Sequence, residues 1–216
     1  DALIAFNTDG RGCVGYLERT GFSFDGAKVA VCGTGPTALA ILHAAAIAGA
    51  SEVLLLSRDK ERAREVLDRY VDEFGTLAHA TVDLQAAVDG HRSFLTAYDE
   101  TTFKFGSYTT STQAIAAAAL VINATPLGMR EGDPAPFDVS LFHEGQRAFD
   151  VVYAHGETAF AAGAKAAGCT FADGGGMLVA QAVATVQAVC DVSGIDCELS
   201  FDELFEIMAN AAGFNV

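Results

Sequence analysis

The run Val29-Ala30-Val31-Cys32-Gly33-Thr34-Gly35-Pro36-Thr37-Ala38 limits what this chain can fold into more than any other segment. Four apolar residues closed by a glycine read as a strand buried on both faces of a parallel sheet. From Thr37 to Gly49 follow Ala, Leu, Ile and His with little polar interruption, which predicts a helix buried on most of its faces and stopped by Gly49. The turn between strand and helix reads G-x-G-x-x-A. Gly33 permits a tight turn, Gly35 lets the backbone approach a pyrophosphate, and Ala38 allows the helix to pack closely on the strand. The unpaired N–H groups of the first helical turn then face the anion. In this strand–turn–helix setting the motif predicts dinucleotide binding over a tight structural turn. Pro36 suits the first helical turn, where its missing N–H has no intrahelical partner, but it removes one donor to phosphate.

The remainder of the chain repeats the same rhythm. Val53-Leu54-Leu55-Leu56 is a second buried strand, and Asp59 to about Phe74 is an amphipathic helix with Ala63, Val66, Leu67 and Tyr70 on one stripe. Between Gly75 and Gln113 the pattern weakens: Ser93 to Ala97 reads as a third strand, and Thr101 to Thr112 has no clear period. Strands return at Ala119 to Ile122 and at Ala148 to Val152. Helices are expected over Asp9–Thr20, Thr158–Ala167, Gly176 to about Val192, and Phe201–Ala211. Alternating strands and helices give right-handed parallel crossovers, so the predicted class is α/β, a Rossmann-like doubly wound parallel sheet with helices on both faces.

Composition narrows the ligand class. The 216 residues carry 13 Lys plus Arg against 28 Asp plus Glu, a net charge of −15, with 51% hydrophobic and 19% charged residues. Such a chain is too apolar to be disordered. Its lysines (Lys28, Lys60, Lys104, Lys165) form no basic stripe, which argues against nucleic acid and leaves room for a small anionic metabolite. The cysteines Cys13, Cys32, Cys169, Cys190 and Cys197 are odd in number and include no CxxC, so they read as reduced thiols of a cytoplasmic protein. The opening Asp1-Ala2-Leu3-Ile4 has no basic region of the kind that begins a signal peptide. Val29 to Ser51 lacks charged side chains over a length that could cross a bilayer, but the Gly33–Pro36 turn interrupts it, so no membrane segment is expected. No histidine stands at metal-ligand spacing from a cysteine or carboxylate, so no metal is expected.

The end of the second strand bears on the choice of dinucleotide. It reads Leu56-Ser57-Arg58-Asp59, with Arg62 one turn later. Arg58 and Arg62 are placed to hold a 2′-phosphate through paired, charge-assisted bonds. The plainer reading makes Asp59 the cap of an exposed helix. A carboxylate at Asp59 could also accept the ribose hydroxyls of NAD. NADP is the favoured cofactor and NAD the alternative.

Three further segments go beyond a generic dinucleotide fold: Phe6-Asn7-Thr8-Asp9-Gly10-Arg11-Gly12, Ile122-Asn123-Ala124-Thr125-Pro126-Leu127-Gly128-Met129, and Gly174-Gly175-Gly176-Met177-Leu178-Val179-Ala180-Gln181-Ala182. With the glycine loop and Ser57-Arg58, their content and order over about residues 1–195 resemble the shikimate dehydrogenase family. The resemblance implies NADP(H)-dependent, reversible reduction of 3-dehydroshikimate to shikimate, a step in aromatic amino acid biosynthesis. It implies that Asp9 binds the substrate hydroxyl and works with a lysine in proton transfer, and that Tyr153 and Gln181 touch substrate. Gly33, Thr34, Gly35, Pro36, Thr37, Ser57, Arg58, Asp59, Arg62, Thr125, Val151 and Gly174 match cofactor-contacting positions. Met177 and Gln181 stand four apart, so one helix face could reach both nicotinamide and substrate.

Each assignment has a plainer counterpart. Asp9 would cap the first helix, Gln181 would be an ordinary polar residue of an amphipathic helix, and Tyr153 would end a strand with a wetted hydroxyl. Asn123 is expected to hold its own loop through backbone groups, and His43 to be a packed rather than a catalytic histidine.

The chain also departs from the family pattern. Family loops read G-x-G-G-A where this one has Pro36 and Thr37, His155 stands where a proline usually follows the tyrosine, and Gly75–Thr112 looks like an insertion. The family's preceding lobe, with its catalytic lysine and several substrate-binding side chains, has no counterpart here. The expected organisation is a linker helix over 1–24, a cofactor-binding domain over 25–195, and a C-terminal helix over 196–216 that could pack on that lobe and promote self-association. The alternatives are an NAD-using quinate/shikimate dehydrogenase and a non-catalytic nucleotide-binding module.

Overall fold

The computed structural model describes residues 5–85 and 101–214. In chain order it contains α1 (Asp9–Arg19), β1 (Lys28–Cys32), α2 (Pro36–Ile47), β2 (Glu52–Ser57), α3 (Lys60–Gln85), β3 (Thr102–Ser107), α4 (Thr112–Ala117), β4 (Leu120–Asn123), a 3₁₀ turn (Val139–Leu141), β5 (Arg147–Asp150), α5 (Ala159–Ala166), β6 (Thr170–Asp173), α6 (Gly174–Ser193) and α7 (Phe201–Ala212). Among the described residues the strands form one parallel sheet in the order β3-β2-β1-β4-β5-β6. The order reverses at β1, which pairs on one side with β2 (Cys32 opposite Leu56) and on the other with β4 (Cys32 opposite Asn123). The loops leaving β1 and β4 therefore turn to opposite faces and open a crevice beyond the strand ends.

Alternation along β1 explains why both faces are covered. Val29 and Val31 join the apolar layer built with Cys13, Leu17, Ile41, Leu42, Val183 and Phe205, under α1, α2, α6 and α7. Ala30 and Cys32 point the other way, into a second layer with Ile115, Phe137, Phe142 and Phe160. A two-sided core of this kind requires the continuous apolar runs found in β1, β2 and β4.

Two strands depart from the expectation. Thr102–Ser107 is β3, paired with β2 from Glu52↔Thr102 to Ser57↔Ser107, although the sequence there has no sustained period. It is an edge strand, and only Phe103 and Phe105 mark its packed face before Gly106 and Ser107 end the alternation. Thr170–Asp173 is β6, a four-residue edge strand with no apolar run to announce it. The strand expected at Ser93–Ala97 lies outside the described residues. The last helix of the sheet layer starts at Gly174 rather than Gly176, because Asp173 Oδ1 accepts the Gly175 N–H at 2.9 Å and caps it there. This helix, Gly174–Ser193, is long and apolar enough to cross a membrane by composition; in the fold Met177, Val179, Ala180, Val183, Ala184 and Ala188 are buried.

The placement of α1 depends on missing side chains. A Cβ on Gly10 would lie 2.2 Å from the Ala40 carbonyl oxygen of α2, and one on Gly12 would lie 2.5 Å from Gln181 Cγ of α6. The helix thus lies in contact with both neighbours, and Cys13 and Leu17 on its inner face are fully buried. From the far end, α7 closes over it: Phe205 is 1% exposed and stacks on Tyr16 with ring centroids 6.1 Å apart, and Arg19 pairs with Asp202 and Glu206. Those ion pairs are solvent-exposed on the acidic side and contribute little; the ring contact and apolar burial hold the helix.

His43 of α2 lies with Nδ1 2.6 Å from the Tyr70 hydroxyl of α3, and burial pushes its pKa down to about 4. It is a packed histidine, as expected.

Two outcomes follow from this packing. Gly10→Ala drives a methyl group into backbone and should destabilise the fold by about 1–3 kcal/mol, read as a lower urea midpoint. At His43 the unfolded chain takes up a proton between pH 6.5 and about 4 that the folded chain refuses, so stability falls as pH falls through that window. The His43 contribution is at most on the order of 3 kcal/mol, and His43→Gln should flatten this part of the stability–pH curve.

Candidate active site

The crevice is floored by the turn after β1. Gly33 has φ 118°, and a Cβ there would stand 2.7 Å from the Ala124 carbonyl oxygen, so the loops after β1 and β4 touch. Gly35, the N-cap of α2, is extended, and a Cβ added to it would meet nothing within 4 Å. Open space lies in front of this backbone, and the first turn of α2 presents the N–H groups of Thr37 and Ala38 with no earlier helical carbonyl to take them.

Beside this turn stands Asp9, the first residue of α1. Its Oδ2 accepts the Thr37 hydroxyl at 2.8 Å, its Oδ1 accepts the Gln181 side-chain amide at 2.8 Å, and its backbone N–H donates to Asn7 Oδ1 at 2.8 Å. The fold therefore brings together Asp9, Thr37 and Gln181 from three helices. One donor on each carboxylate oxygen leaves further lone pairs for an incoming hydroxyl, and Asp9 remains partly exposed.

A second group of residues shapes the loops after β4 and β5. Asn123 is fully buried; its Oδ1 accepts the Thr125 N–H at 3.1 Å and the Thr125 hydroxyl at 2.6 Å, and its Nδ2 donates to Leu127 O at 3.1 Å and to Asp150 Oδ1 at 2.9 Å. It holds its own loop through backbone groups, as expected. Asp150 Oδ1 also accepts the Val152 N–H at 3.1 Å, and Oδ2 accepts the Thr158 hydroxyl at 2.7 Å. Burial pushes the Asp150 carboxyl above the ordinary carboxylate range, and the bonds from Thr158, Val152 and Asn123 act in the opposite direction. Sequence reading missed this latch, since a strand-end Asp carries no signal of its partners.

Beyond Asp150 the chain passes close to α6. A Cβ on Gly174 would lie 2.1 Å from the Val151 carbonyl oxygen and 3.1 Å from Tyr153 Cδ1, so Val151, Tyr153 and Gly174 are neighbours. Tyr153 is 38% exposed and precedes Ala154, a non-glycine residue held at φ 59°. That left-handed backbone costs on the order of 1 kcal/mol and is held by the turn around it. Met177, one turn before Gln181 on the same helix, is 4% exposed and packs in the apolar core.

At the end of β2, Arg58 is exposed and borders a cavity of about 470 Å³ that also touches Tyr108, Thr112, Phe137 and Asp138. Asp59 Oδ1 accepts the Glu61 N–H at 2.9 Å, so its carboxylate caps α3, and the Asp59 N–H donates to Ser57 Oγ at 3.3 Å. Arg62 is exposed and stands 4.0 Å from Glu65. Tyr108 was not anticipated because β3, which delivers it, was not recognised. Thr34 completes the turn and is partly exposed. Among the described residues no cluster of His, Cys, Asp and Glu could hold a metal ion.

No family model matches the chain. A shikimate dehydrogenase (NADP+) of Moorella thermoacetica is 34% identical over 183 residues, which are 84% of this chain and 54% of that protein. The chain thus spans about half the length of the curated relatives it matches. Among solved structures, the shikimate 5-dehydrogenase of Listeria monocytogenes in complex with shikimate and NAD superposes with a TM-score of 0.68 at 22% identity, covering 93% of this chain and 62% of that one. The ligand-free 5-ketofructose reductase of Gluconobacter sp. strain CHM43 gives 0.65 at 25% identity, covering 95% and 63%. These likenesses establish the α/β Rossmann-like fold.

Asp150→Ala leaves the Val152 N–H and the Thr158 hydroxyl without this acceptor and removes one of the two acceptors of the Asn123 amide. The expected cost is on the order of 3 kcal/mol, measured by chemical denaturation, with Asp150→Asn costing less because it keeps one oxygen.

Proposed function

We propose that this chain, a member of the shikimate dehydrogenase family by its sequence, is the cofactor-binding part of an enzyme that interconverts 3-dehydroshikimate and shikimate with NADP(H). The observation that carries this reading is the Asp9 carboxylate, held by Thr37 and Gln181 beside the glycine turn at the point where the strand order reverses. A dinucleotide fits that turn: the space in front of Gly35 is open, and the Thr37 and Ala38 N–H groups belong to a first helical turn with no earlier helical carbonyl to take them. Pro36, the first residue of α2, contributes no donor and fixes the turn. When bound, the nicotinamide supplies the hydride.

This chain's own residues orient the partners of that transfer. Asp9 accepts the hydroxyl that is made or consumed, Gln181 keeps the Asp9 carboxylate aligned, and Tyr153 stands at the mouth beside Gly174 and Val151. The loop tied to Asn123 presents Thr125 opposite Gly33. A carbonyl oxygen that receives hydride at its carbon also requires a proton. None of the four lysines serves as donor: Lys28 opens β1 at the sheet end away from the crevice, Lys60 starts α3, Lys104 pairs with Glu52 and Lys165 with Glu157. The proton donor belongs to the half of the relatives that this chain does not span.

The cofactor is NADP. Asp59 is engaged as a helix cap, while Arg58 is exposed at the strand end with Arg62 one turn along α3. A second reading, NAD, is favoured by Asp138, whose carboxylate borders the Arg58 cavity and would repel a 2′-phosphate. All five cysteines are free thiols, which fits a cytoplasmic setting. Residues 1–24 then deliver Asp9 and 25–195 hold the cofactor, while α7, expected to pack on the preceding lobe, packs on this domain with Leu204, Phe205 and Ala209 buried and leaves Ile207 56% exposed as a surface for association.

Titrating the chain with NADPH and then NADH, read by nicotinamide fluorescence, tests this assignment without relying on turnover. NADPH should bind more tightly, and Arg58→Ala should weaken NADPH by about tenfold or more while leaving NADH unchanged. Equal loss for both nucleotides would remove Arg58 from phosphate recognition, and binding of neither would overturn the dehydrogenase reading.

A further inference from the structure

We infer that Thr37 is a positioning residue for Asp9, and that it transmits occupancy of the dinucleotide turn to the carboxylate that meets substrate. This rests on the reading of Asp9 given above. Thr37 is the second residue of α2, so its backbone N–H belongs to the unpaired first turn; the intrahelical ladder begins with Leu39 N–H donating to Gly35 O at 3.1 Å. Its side chain points the other way, with Oγ1 donating to Asp9 Oδ2 at 2.8 Å. A single residue thus offers its main chain to an anion and its side chain to Asp9.

The geometry leaves this link little freedom. Threonine is β-branched, so turning its hydroxyl away from Asp9 requires a jump to another χ1 well. Asp9 is held from the opposite side by Gln181 Nε2 on Oδ1 at 2.8 Å, so the carboxylate plane is defined by donors from α2 and α6 together. Gly10, the next residue of α1, touches the Ala40 carbonyl of α2, which prevents α1 from sliding to preserve the bond if the first turn of α2 shifts. An anion drawn against the Thr37 N–H therefore fixes the Thr37 hydroxyl as well, and with it one oxygen of Asp9.

The experiment follows the Asp9 side-chain carboxyl carbon by NMR in the chain labelled at aspartate, the resonance being assigned through Asp9→Asn. Without ligand, Thr37→Ala should move the Asp9 resonance and Thr37→Ser should leave it in place. At NADPH concentrations that saturate each variant, the resonance should shift in the parent and in Thr37→Ser, and the shift should be lost in Thr37→Ala. A ligand-free resonance that ignores Thr37→Ala overturns the positioning role, whatever the nucleotide does. An NADPH-induced shift that survives Thr37→Ala, or that Thr37→Ser fails to rescue, overturns the transmission. Failure of NADPH to bind the parent overturns the functional reading and the transmission together, and the ligand-free comparison still decides the positioning role.

Discussion

The close contact of α1 with two other helices is the constraint on which the rest of the site depends. Gly10 lies against the Ala40 carbonyl, and Gly12 lies against the Gln181 side chain. With any larger residue at these positions α1 would stand farther out, and Asp9 would leave the reach of both Thr37 and Gln181. Hydrogen bonds at 2.8 Å tolerate displacements of only a few tenths of an ångström. Burial of Cys13 and Leu17 supplies the attraction, since each apolar side chain removed from water contributes about 1.5–3 kcal/mol, and the glycines set the distance at which it operates. Electrostatics is secondary here: the pairs of Arg19 with Asp202 and Glu206 lie at the surface.

A different principle holds the other wall of the crevice. Asn123 and Asp150 end adjacent strands, and each is almost completely buried and fully bonded. A buried carboxylate is tolerable because three donors converge on it, and the same convergence fixes the loops after both strands. One wall is thus held by van der Waals fit between helices and the other by a polar knot at strand ends. The first fails when a methyl group is added, the second when an oxygen is removed.

Much of this was legible in the sequence, and the exceptions have physical reasons. The turn Gly33–Pro36 and the strands β1, β2 and β4 are visible because two-sided burial demands unbroken apolar runs. Asp9 and Gln181 stand out because short fixed strings surround them. The edge strands β3 and β6 are hidden because only one face of each needs to be apolar and neither is longer than six residues. Helical spacing puts Met177 and Gln181 on one stripe but does not give their burial, and the methionine is buried where the glutamine, one turn on, is partly exposed. Asp150, Thr158 and the Thr37 hydroxyl were invisible for a common reason, since hydrogen-bond partners distant in sequence leave no local pattern.

The bond between Asp9 and Gln181 joins residues 172 positions apart. During synthesis on the ribosome, the helix that carries Asp9 emerges before both of its clamps, which follow at very different times. Thr37 follows within a few dozen residues, but Gln181 is added 172 residues after Asp9 and the covering Phe205 later still. Until then one face of α1, with Cys13, Tyr16 and Leu17, has no lid, and a nascent chain in that state exposes an apolar stripe that invites chaperones or misassociation. Closing so long a loop is also slow relative to local helix formation. The sheet can therefore assemble well before the carboxylate is aligned, and alignment of Asp9 is among the last events in the maturation of the molecule.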